Sequence, residues 1–381
     1  MIKIKDIQFF DVKIPFVRMF KHGSAERATT ETVLVQIIDG DNRIGYGEGC
    51  PRLYVTAETI GTARSFFRAH EAGIRKIEDL TQLVDYVARH HLEIDANPAA
   101  WSAVEMAWLD LLGKQQGVPV ETLLGIPRRG TDYVYSAILG DSSPDEFKAL
   151  YQYYRKLGYA DFKIKLANDP EKDKQKIAAM RDEAAHITVR ADANNLWRST
   201  DEALQHLSHI DFAFSAIEEP LRSKKLDELQ VIAEATGAKL ILDESLLVFE
   251  QIECLKQSPI NWIVNARNSK YGGIIRSLRI IEELVNHDID IIVGAHVGES
   301  SLLTRASLLL ADAAKHKLHA QEGGFSTHLL TQDLFEPHLK IGKRGMLDQK
   351  LLTCRDIPGF GMVPLANFIR MPEVIPLPCF E

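Results

Sequence analysis

Seven polar or charged residues recur along the second half of the chain at an almost constant spacing. The steps between them are 27, 26, 25, 27, 26 and 26 residues, and the positions are Lys165, Asp192, Glu218, Asp243, Lys270, His296 and Glu322. This step is about the length of one strand, one helix and two short loops. The spacing therefore predicts a series of βα units with one functional residue in each.

Each of these residues follows a short apolar run, as Lys165 follows residues 162–164 and Asp243 follows residues 240–242. They are therefore predicted to end strands. In a closed parallel barrel the carboxyl ends of all strands meet at one mouth, so the seven side chains should converge there. Three carboxylates flanked by lysines at one mouth favour a metal site with acid/base groups around it.

Composition excludes several classes of protein. The chain has 381 residues, 45% hydrophobic and 26% charged, with a net charge of −8. These values are typical of a globular protein, and the absence of a basic stripe argues against nucleic-acid binding. Four scattered cysteines without a CxxC pair argue against a disulfide framework or a thiolate zinc site. No signal-peptide pattern or membrane-length apolar run occurs, so we expect a cytoplasmic protein that contacts no membrane.

The hydrophobic pattern divides the chain into three parts: an α+β domain over 1–130, a parallel barrel over 131–345 and a tail over 346–381 that packs back on the first domain. In the first part, strands are predicted at 2–14, 32–38 and 43–48, with hairpin residues at 39–42 and a mobile loop at 16–30. Helices are predicted at 57–71, 77–91 and 98–116, and the last should be buried between the domains. Barrel strands are predicted at 133–139 and ending near residues 166, 192, 218, 243, 267, 295 and 321, with helices between them at 169–183, 200–209, 225–236 and 274–286.

Asp192, Glu218 and Asp243 are the candidate metal ligands. Like charges held close disfavour joint ionisation, and a divalent cation resolves that repulsion. All-oxygen ligation favours Mg²⁺ or Mn²⁺ over zinc, and Mg²⁺ commonly keeps waters that a substrate carboxylate can replace. A single carboxylate at a strand end often only caps a helix or pairs with arginine, but three at matched spacing favour a metal.

Lys163, Lys165 and Lys270 are the candidate acid/base groups. Lys163 and Lys165 are two residues apart on one strand and therefore face the same side, where like-charge repulsion should lower the proton affinity of each amine. Lys270 lies four βα units beyond Lys165, which is diametrically opposite in an eightfold ring. Two amines on opposite faces of a substrate suit proton removal from one face and delivery to the other.

These residues resemble the muconate-lactonizing-enzyme subgroup of the enolase superfamily. The matching motifs are Lys163-Ile164-Lys165, Asp192-Ala193-Asn194, Ile217-Glu218-Glu219-Pro220, Asp243-Glu244-Ser245 and Lys270-Tyr271-Gly272-Gly273, with Gly45-Tyr46-Gly47-Glu48 resembling the hairpin of the family's capping domain. The resemblance implies an α+β capping domain followed by a (β/α)₇β barrel. It also implies Mg²⁺-assisted abstraction of the proton α to a carboxylate through an enediolate, with the lysines as bases.

The resemblance leaves the overall reaction open. We expect a racemase or epimerase of an amino-acid derivative, an N-acylamino acid or a dipeptide; the alternatives in the same subgroup are a muconate-type cycloisomerase and an o-succinylbenzoate-type dehydratase. Dipeptide epimerases typically place Asp-x-Asp after the eighth strand, where this chain keeps Glu322 as its single acid. His296 stands near the catalytic histidine of mandelate-racemase-like members, but Lys270 occupies the region of its aspartate partner. Outside the family, a Schiff-base lyase and a non-catalytic barrel are the remaining hypotheses.

Specificity is expected from residues around the mouth. Substrate-binding candidates are Phe20, His22, Tyr54, Asn194, His296, Glu299 and Glu322, of which Glu322 could instead cap a helix and His296 could be structural. The loop 16–30 should order over bound substrate, because water must be excluded from the reaction. We expect the partner to be a small-molecule carboxylate and the protein to be a homo-oligomer.

Overall fold

The computed structural model describes residues 1–22, 25–128, 130, 132–366 and 368–377, with only the backbone for residues 20–22, 25 and 26. Within these ranges, no helix combines the length and the hydropathy that a membrane crossing requires. An antiparallel sheet and a curled parallel sheet dominate the architecture.

The N-terminal region begins with five strands: β1 Ile4–Val12, β2 Pro15–His22, β3 Ala25–Thr29, β4 Thr32–Asp39 and β5 Ile44–Gly49. The chain's last strand, β16 Val374–Pro376, completes a sheet in the order β16-β1-β4-β5. The hairpin predicted at 39–42 is present: Asp39 Oδ1 accepts hydrogen bonds from the N–H groups of Asp41 and Arg43, and Asn42 takes a φ of 60°. The three strands predicted in this region are confirmed.

The loop predicted over 16–30 is wrong as a description of the backbone, because β2 and β3 pair as an antiparallel hairpin. The hairpin is tied to the barrel: the Val17 N–H donates to the Leu329 carbonyl at 2.8 Å. Val17 and Met19 are exposed while Phe16 is buried, so apolar residues lie on both faces. This two-sided pattern hides the period of two that normally reveals a strand.

Six helices follow: α1 Leu53–Thr56, α2 Ile60–Ile74, α3 Leu80–Arg89, α4 His91–Ala96, α5 Pro98–Gln116 and α6 Val120–Leu123. The prediction for 98–116 is confirmed, and α5 is buried over most of its length. It packs very closely on β5: a Cβ at Gly47 would lie 2.0 Å from the Ala103 carbonyl oxygen. Alternate glycines on the strand thus meet small residues at four-residue spacing on the helix, which lets the two backbones touch.

The second region is the barrel. Its strands are β6 Ala137–Leu139, β7 Asp161–Lys165, β8 Thr188–Asp192, β9 Ala216–Glu218, β10 Lys239–Leu242, β11 Trp262–Ala266, β12 Asp290–Val293 and β13 Leu318–Gln321. Neighbours in this order pair in parallel. The Ser136 N–H donates to the Gln321 carbonyl at 2.8 Å and joins the first strand to the last. A small cluster of Ala216, Ile241, Ile263, Ile292 and Ala320 is separate from the main core, as expected for side chains inside a barrel.

The barrel helices are α7 Pro144–Lys156, α8 Pro170–Ala178, α9 Thr200–Ile210, α10 Leu226–Thr236, α11 Glu253–Lys256, α12 Asn268–Tyr271, α13 Ile274–Asn286, α14 Ser301–Ala314 and α15 Phe325–His328. The second region is thus a (β/α)₇β barrel and the first region is its capping domain, as expected. After it, β14 Phe335–Glu336 pairs with β15 Val363–Pro364, and β16 returns to β1. We propose domain boundaries at 1–130, 131–345 and 346–381, and the β1–β16 pairing supports a tail that packs on the first domain.

Candidate active site

The regularly spaced residues that were predicted to end strands lie at one mouth of the barrel. Lys165, Asp192 and Glu218 are the last residues of β7, β8 and β9, and they are direct neighbours in the strand register. Asp243 follows β10 at once, and Lys270 lies on α12 just beyond β11. All five side chains are buried, so the mouth holds a dense set of ionisable groups away from water.

Lys163 lies at the centre of an acidic cluster. Its Nζ is 2.7 Å from Glu218 Oε2, 3.1 Å from Glu322 Oε2 and 3.4 Å from Asp192 Oδ2. Burial disfavours the ammonium, but these three carboxylates outweigh burial and raise the pKa of Lys163. The expectation of mutually lowered lysine proton affinities is therefore wrong for Lys163, because carboxylates dominate its surroundings.

Lys165 lies two residues beyond Lys163 on β7, on the same face of the strand. Its Nζ lies 3.0 Å from Asp192 Oδ2 and donates to Asn194 Oδ1 at 2.8 Å. Asn194 adopts a φ of 47°, which asparagine tolerates, and its N–H donates to Asp192 Oδ1. Burial would raise the pKa of Asp192, but Lys165 and Lys163 outweigh burial and lower it. The structure thus brings Asn194 to Lys165.

Glu322 follows β13 and is already paired. Besides Lys163, it accepts a hydrogen bond from Arg190 Nη1 at 2.8 Å. Burial opposes its ionisation, but Lys163 and Arg190 outweigh burial and lower the pKa of Glu322. Arg190 is fully buried and also contacts Asp161 at 2.7 Å. Sequence reasoning missed Arg190, although its position two residues before Asp192 places both on the same strand face.

The opposite side of the mouth carries Lys270. Its Nζ donates to the carbonyls of Asp243 and Asn265 at 2.8 and 2.5 Å, and lies 3.2 Å from Asp243 Oδ1. Burial, and then the nearby Arg267 guanidinium, lower the pKa of Lys270 well below its ordinary value. Arg267, which sequence reasoning also missed, pairs with Asp243 Oδ2.

The Gly272-Gly273 pair explains how Lys270 is held. Both glycines have positive φ, at 74° and 96°. A Cβ at Gly273 would lie 2.5 Å from Glu105 Oε1, so the turn after α12 leaves no space for a side chain. The pair therefore fixes the end of α12 against α5 and with it the direction of Lys270.

His296 and Glu299 form the seventh-strand side of the mouth. The His296 Nδ1–H faces the Cys50 carbonyl at 2.7 Å, which leaves Nε2 without a hydrogen-bond partner among the described residues. Burial and then Arg267 lower the pKa of His296 well below its ordinary value, which favours the neutral ring. Glu299 accepts the His296 N–H at 2.6 Å, and burial raises its pKa to about 7.

The capping region contributes the remaining predicted site residues. The side chains of Phe20 and His22 lie outside the described part of the chain. Tyr54 lies half-buried on α1, with the Arg27 guanidinium 5.8 Å from its ring centre. Cys50, by contrast, reaches His296 through its carbonyl.

Asp192, Glu218 and Asp243 are hard oxygen donors on consecutive strand ends, so the donor set fits Mg²⁺. Each already faces a cation of the chain: Lys163 for the first two and Arg267 for Asp243. Among the described residues, the set whose ligand atoms all lie within 4.8 Å of one another is Cys50, His296 and Glu299. These three carboxylates would hold a divalent cation in competition with their pairing to Lys163 and Arg267.

Comparison with known proteins identifies the family. Residues 146–365 match the family Enolase C-terminal domain-like, and residues 19–125 match Mandelate racemase / muconate lactonizing enzyme, N-terminal domain. The chain belongs to the mandelate racemase/muconate lactonizing enzyme family of the enolase superfamily. The predicted fold and family are thus confirmed.

Several similar proteins are epimerases or racemases. A hydrophobic dipeptide epimerase from Enterococcus faecalis is 26% identical over 325 residues, 82% of this chain and 88% of the relative. An N-succinyl-L-Arg/Lys racemase from Bacillus cereus is 25% identical over 326 residues, 82% of this chain and 85% of the relative. The crystal structure of a dipeptide epimerase from Methylococcus capsulatus, complexed with Mg and the dipeptide L-Arg-D-Lys, is 26% identical with a TM-score of 0.80 and covers 95% of this chain and 99% of its own.

Proposed function

We propose that this protein is a Mg²⁺-dependent racemase or epimerase of an amino-acid derivative. The observation that carries the proposal is the pair of buried lysines, Lys165 and Lys270. Lys165 ends β7 and Lys270 follows β11, which is four strands further on in an eight-stranded barrel. A proton on the α-carbon can be removed by one amine and replaced from the other face by the second. The relatives' reactions and the bound Mg of the Methylococcus structure support this reading.

Asp192, Glu218 and Asp243 would hold Mg²⁺, or Mn²⁺ in its place. The bound ion would neutralise the substrate carboxylate and the charge that develops on it as the α-proton leaves. The cluster of Cys50, His296 and Glu299 contains softer donors than Mg²⁺ prefers, so we assign the ion to the carboxylates.

The remaining residues have distinct proposed roles. Lys163, which also faces Glu322 at 3.1 Å, would stabilise negative charge on the substrate oxygens. Asn194 orients Lys165 through the hydrogen bond to its Nζ. His296, Glu299, Glu322, Tyr54, Phe20 and His22 are proposed to bind substrate, with His296 Nε2 as a hydrogen-bond acceptor.

The contacts of Glu322 favour an N-acylamino acid over a dipeptide. Its two oxygens already face Lys163 and Arg190, so a substrate ammonium would have to compete with two buried cations for one carboxylate. An N-acyl group carries no such charge. We further propose a homo-oligomer that works in the cytoplasm, which size measurements at defined concentration and fractionation would test.

A substrate screen in D₂O tests the function. N-acylamino acids, dipeptides and cycloisomerase substrates would be incubated with enzyme and Mg²⁺, and deuterium at Cα would be measured by mass spectrometry. Deuterium uptake by both enantiomers of one substrate is the expected result, and chelator should abolish it. Product formation by elimination or ring closure without Cα exchange would contradict a racemase, as would exchange that persists in excess chelator.

A further inference from the structure

A buried polar network lies directly behind Lys165. The carbonyl oxygen of Lys165 accepts a hydrogen bond from Lys176 Nζ at 2.8 Å. Two residues later, the Ala167 N–H donates to both oxygens of Asp173, at 3.0 and 2.9 Å. Lys176 and Asp173 belong to α8 and pair with each other at 2.6 Å. The strand end that carries Lys165 is therefore held by side chains of the following helix and not only by its sheet partners.

A third member connects this network to the next helix. His206 on α9 faces Asp173 Oδ2 through Nε2 at 3.0 Å, and the Trp197 ring packs edge-on against it at 5.3 Å. Lys176 and Asp173 have no exposed surface, and His206 is 5% exposed. Buried charges are costly unless they are paired, so breaking this network would be strongly unfavourable. The network therefore anchors the backbone at residues 165–167 through the Lys165 carbonyl and the Ala167 N–H.

The opposite lysine is held in a different way. Lys270 Nζ itself donates to two backbone carbonyls, and its turn is fixed by Gly272 and Gly273. Among the described residues, the hydrogen bonds of the Lys165 amine go to side chains only, those of Asp192 and Asn194. Its direction therefore depends more on its own backbone, and that backbone depends on Lys176 and Asp173.

We propose that Lys176, Asp173 and His206 are positioning residues that aim the Lys165 amine and leave Lys270 unaffected. The inference rests on the proposed function for its kinetic consequence, because only a two-base reaction separates the two lysines. Misplacing a reacting group by about 1 Å costs on the order of 10²-fold in rate, so a small rotation at the Lys165 carbonyl is enough.

Lys176→Met tests the proposal, since it keeps the side-chain length and removes the amine. Exchange of the enantiomer whose α-proton Lys165 removes should fall by about 10- to 100-fold, while exchange of the other enantiomer stays within about twofold. His206→Gln should show the same asymmetry at smaller size, and Lys176→Arg should restore most of the loss. An equal loss for both enantiomers would overturn the proposal.

Arg305→Met controls for general destabilisation. Arg305 is equally buried and pairs with Glu121, and no hydrogen-bond partner of Arg305 in the described chain is either lysine. This variant should lower the melting temperature and slow both enantiomers equally. A Lys176→Met profile that matches Arg305→Met at equal loss of melting temperature would reduce the network to a structural role.

A substrate-free measurement separates this inference from the proposed function. Free enzyme would be labelled with limiting acetic anhydride, and the labelling of Lys165 would be measured by mass spectrometry against the exposed Lys148. Lys176→Met should increase Lys165 labelling at least about threefold because its backbone is released, with Lys270 labelling unchanged. Unchanged Lys165 labelling would overturn the positioning role, whereas failure of all substrates to exchange would overturn only the proposed reaction.

Discussion

The two sides of the barrel mouth that carry lysines surround them with different groups, carboxylates on one side and mainly backbone carbonyls on the other. On the charged side, Lys163 and Lys165 face three carboxylates, and Arg190 supplies a further cation. On the desolvated side, Lys270 is held by carbonyls, and burial lowers the pKa of His296 and raises that of Glu299 to about 7. The comparison shows that two lysines at one barrel mouth can have their pKa shifted in opposite directions, that of Lys163 upward by carboxylates and that of Lys270 downward by burial.

The largest expected effect is loss of the proposed metal site on the charged side. Glu218→Gln removes one carboxylate ligand and one partner of Lys163, so kcat/KM should fall at least about 10³-fold with loss of Mg²⁺ binding. Steady-state kinetics and calorimetric Mg²⁺ titration measure both. Glu228→Gln, at the half-buried start of α10 after the same strand, is the control. Normal turnover by the Glu218 variant would contradict the assignment of Mg²⁺ to these carboxylates.

Breaking an ion pair should show that the charged side depends on charge balance for stability. Arg190→Met leaves Glu322 and Asp161 without their buried partner, so the free energy of unfolding should drop by about 3–5 kcal/mol. Urea denaturation measures the drop, and Arg198→Met on the exposed loop after β8 should change it little. A drop below about 1 kcal/mol would mean that Lys163 alone neutralises Glu322.

Glu48, which borders the desolvated side, provides a pH test. It is buried and accepts the Ser300 N–H at 3.1 Å, and burial raises its pKa to about 8 from 4.5. Because the folded pKa is the higher one, this group makes the wild type lose stability as pH rises from about 4.5 to about 8. Glu48→Gln lacks this loss.

The variant's unfolding free energy should therefore gain on that of the wild type across this window, by on the order of 3 kcal/mol, and remain level above it. Denaturant unfolding at a series of pH values measures the difference. The exposed Glu234→Gln should give a flat difference. A gain that appears as pH falls would show that Glu48 is ionised in the folded protein.

Much of this architecture could be predicted from the sequence. The regular spacing of polar residues located the ends of β7, β8 and β9 and the region of Lys270, because strand-helix repeats of constant length place equivalent residues at constant intervals in the sequence. The β2–β3 hairpin was missed because apolar residues lie on both of its faces. The helix predicted over 77–91 ends at Arg89, and α4 follows as a separate helix.

The electrostatics of the site were less predictable. Glu322, 159 residues away, is one of the three carboxylates that raise the pKa of Lys163, and no local pattern reports such a contact. Arg190 was within reach of sequence reasoning, since alternate strand residues share a face. Cys50 and Arg267 act through contacts between domains and between strands that only the fold brings together.

Enantiomer-specific exchange in Lys165→Ala and Lys270→Ala tests the central claim most directly. Each variant would be incubated with the separate enantiomers of the substrate in D₂O, and deuterium at Cα would be followed. We predict that each variant loses racemisation and retains exchange with only one enantiomer, and that the two retain opposite ones. Equal residual exchange of both enantiomers in either variant, or an enantiomer-selective loss in His296→Asn with none in Lys270→Ala, would contradict the two-lysine account.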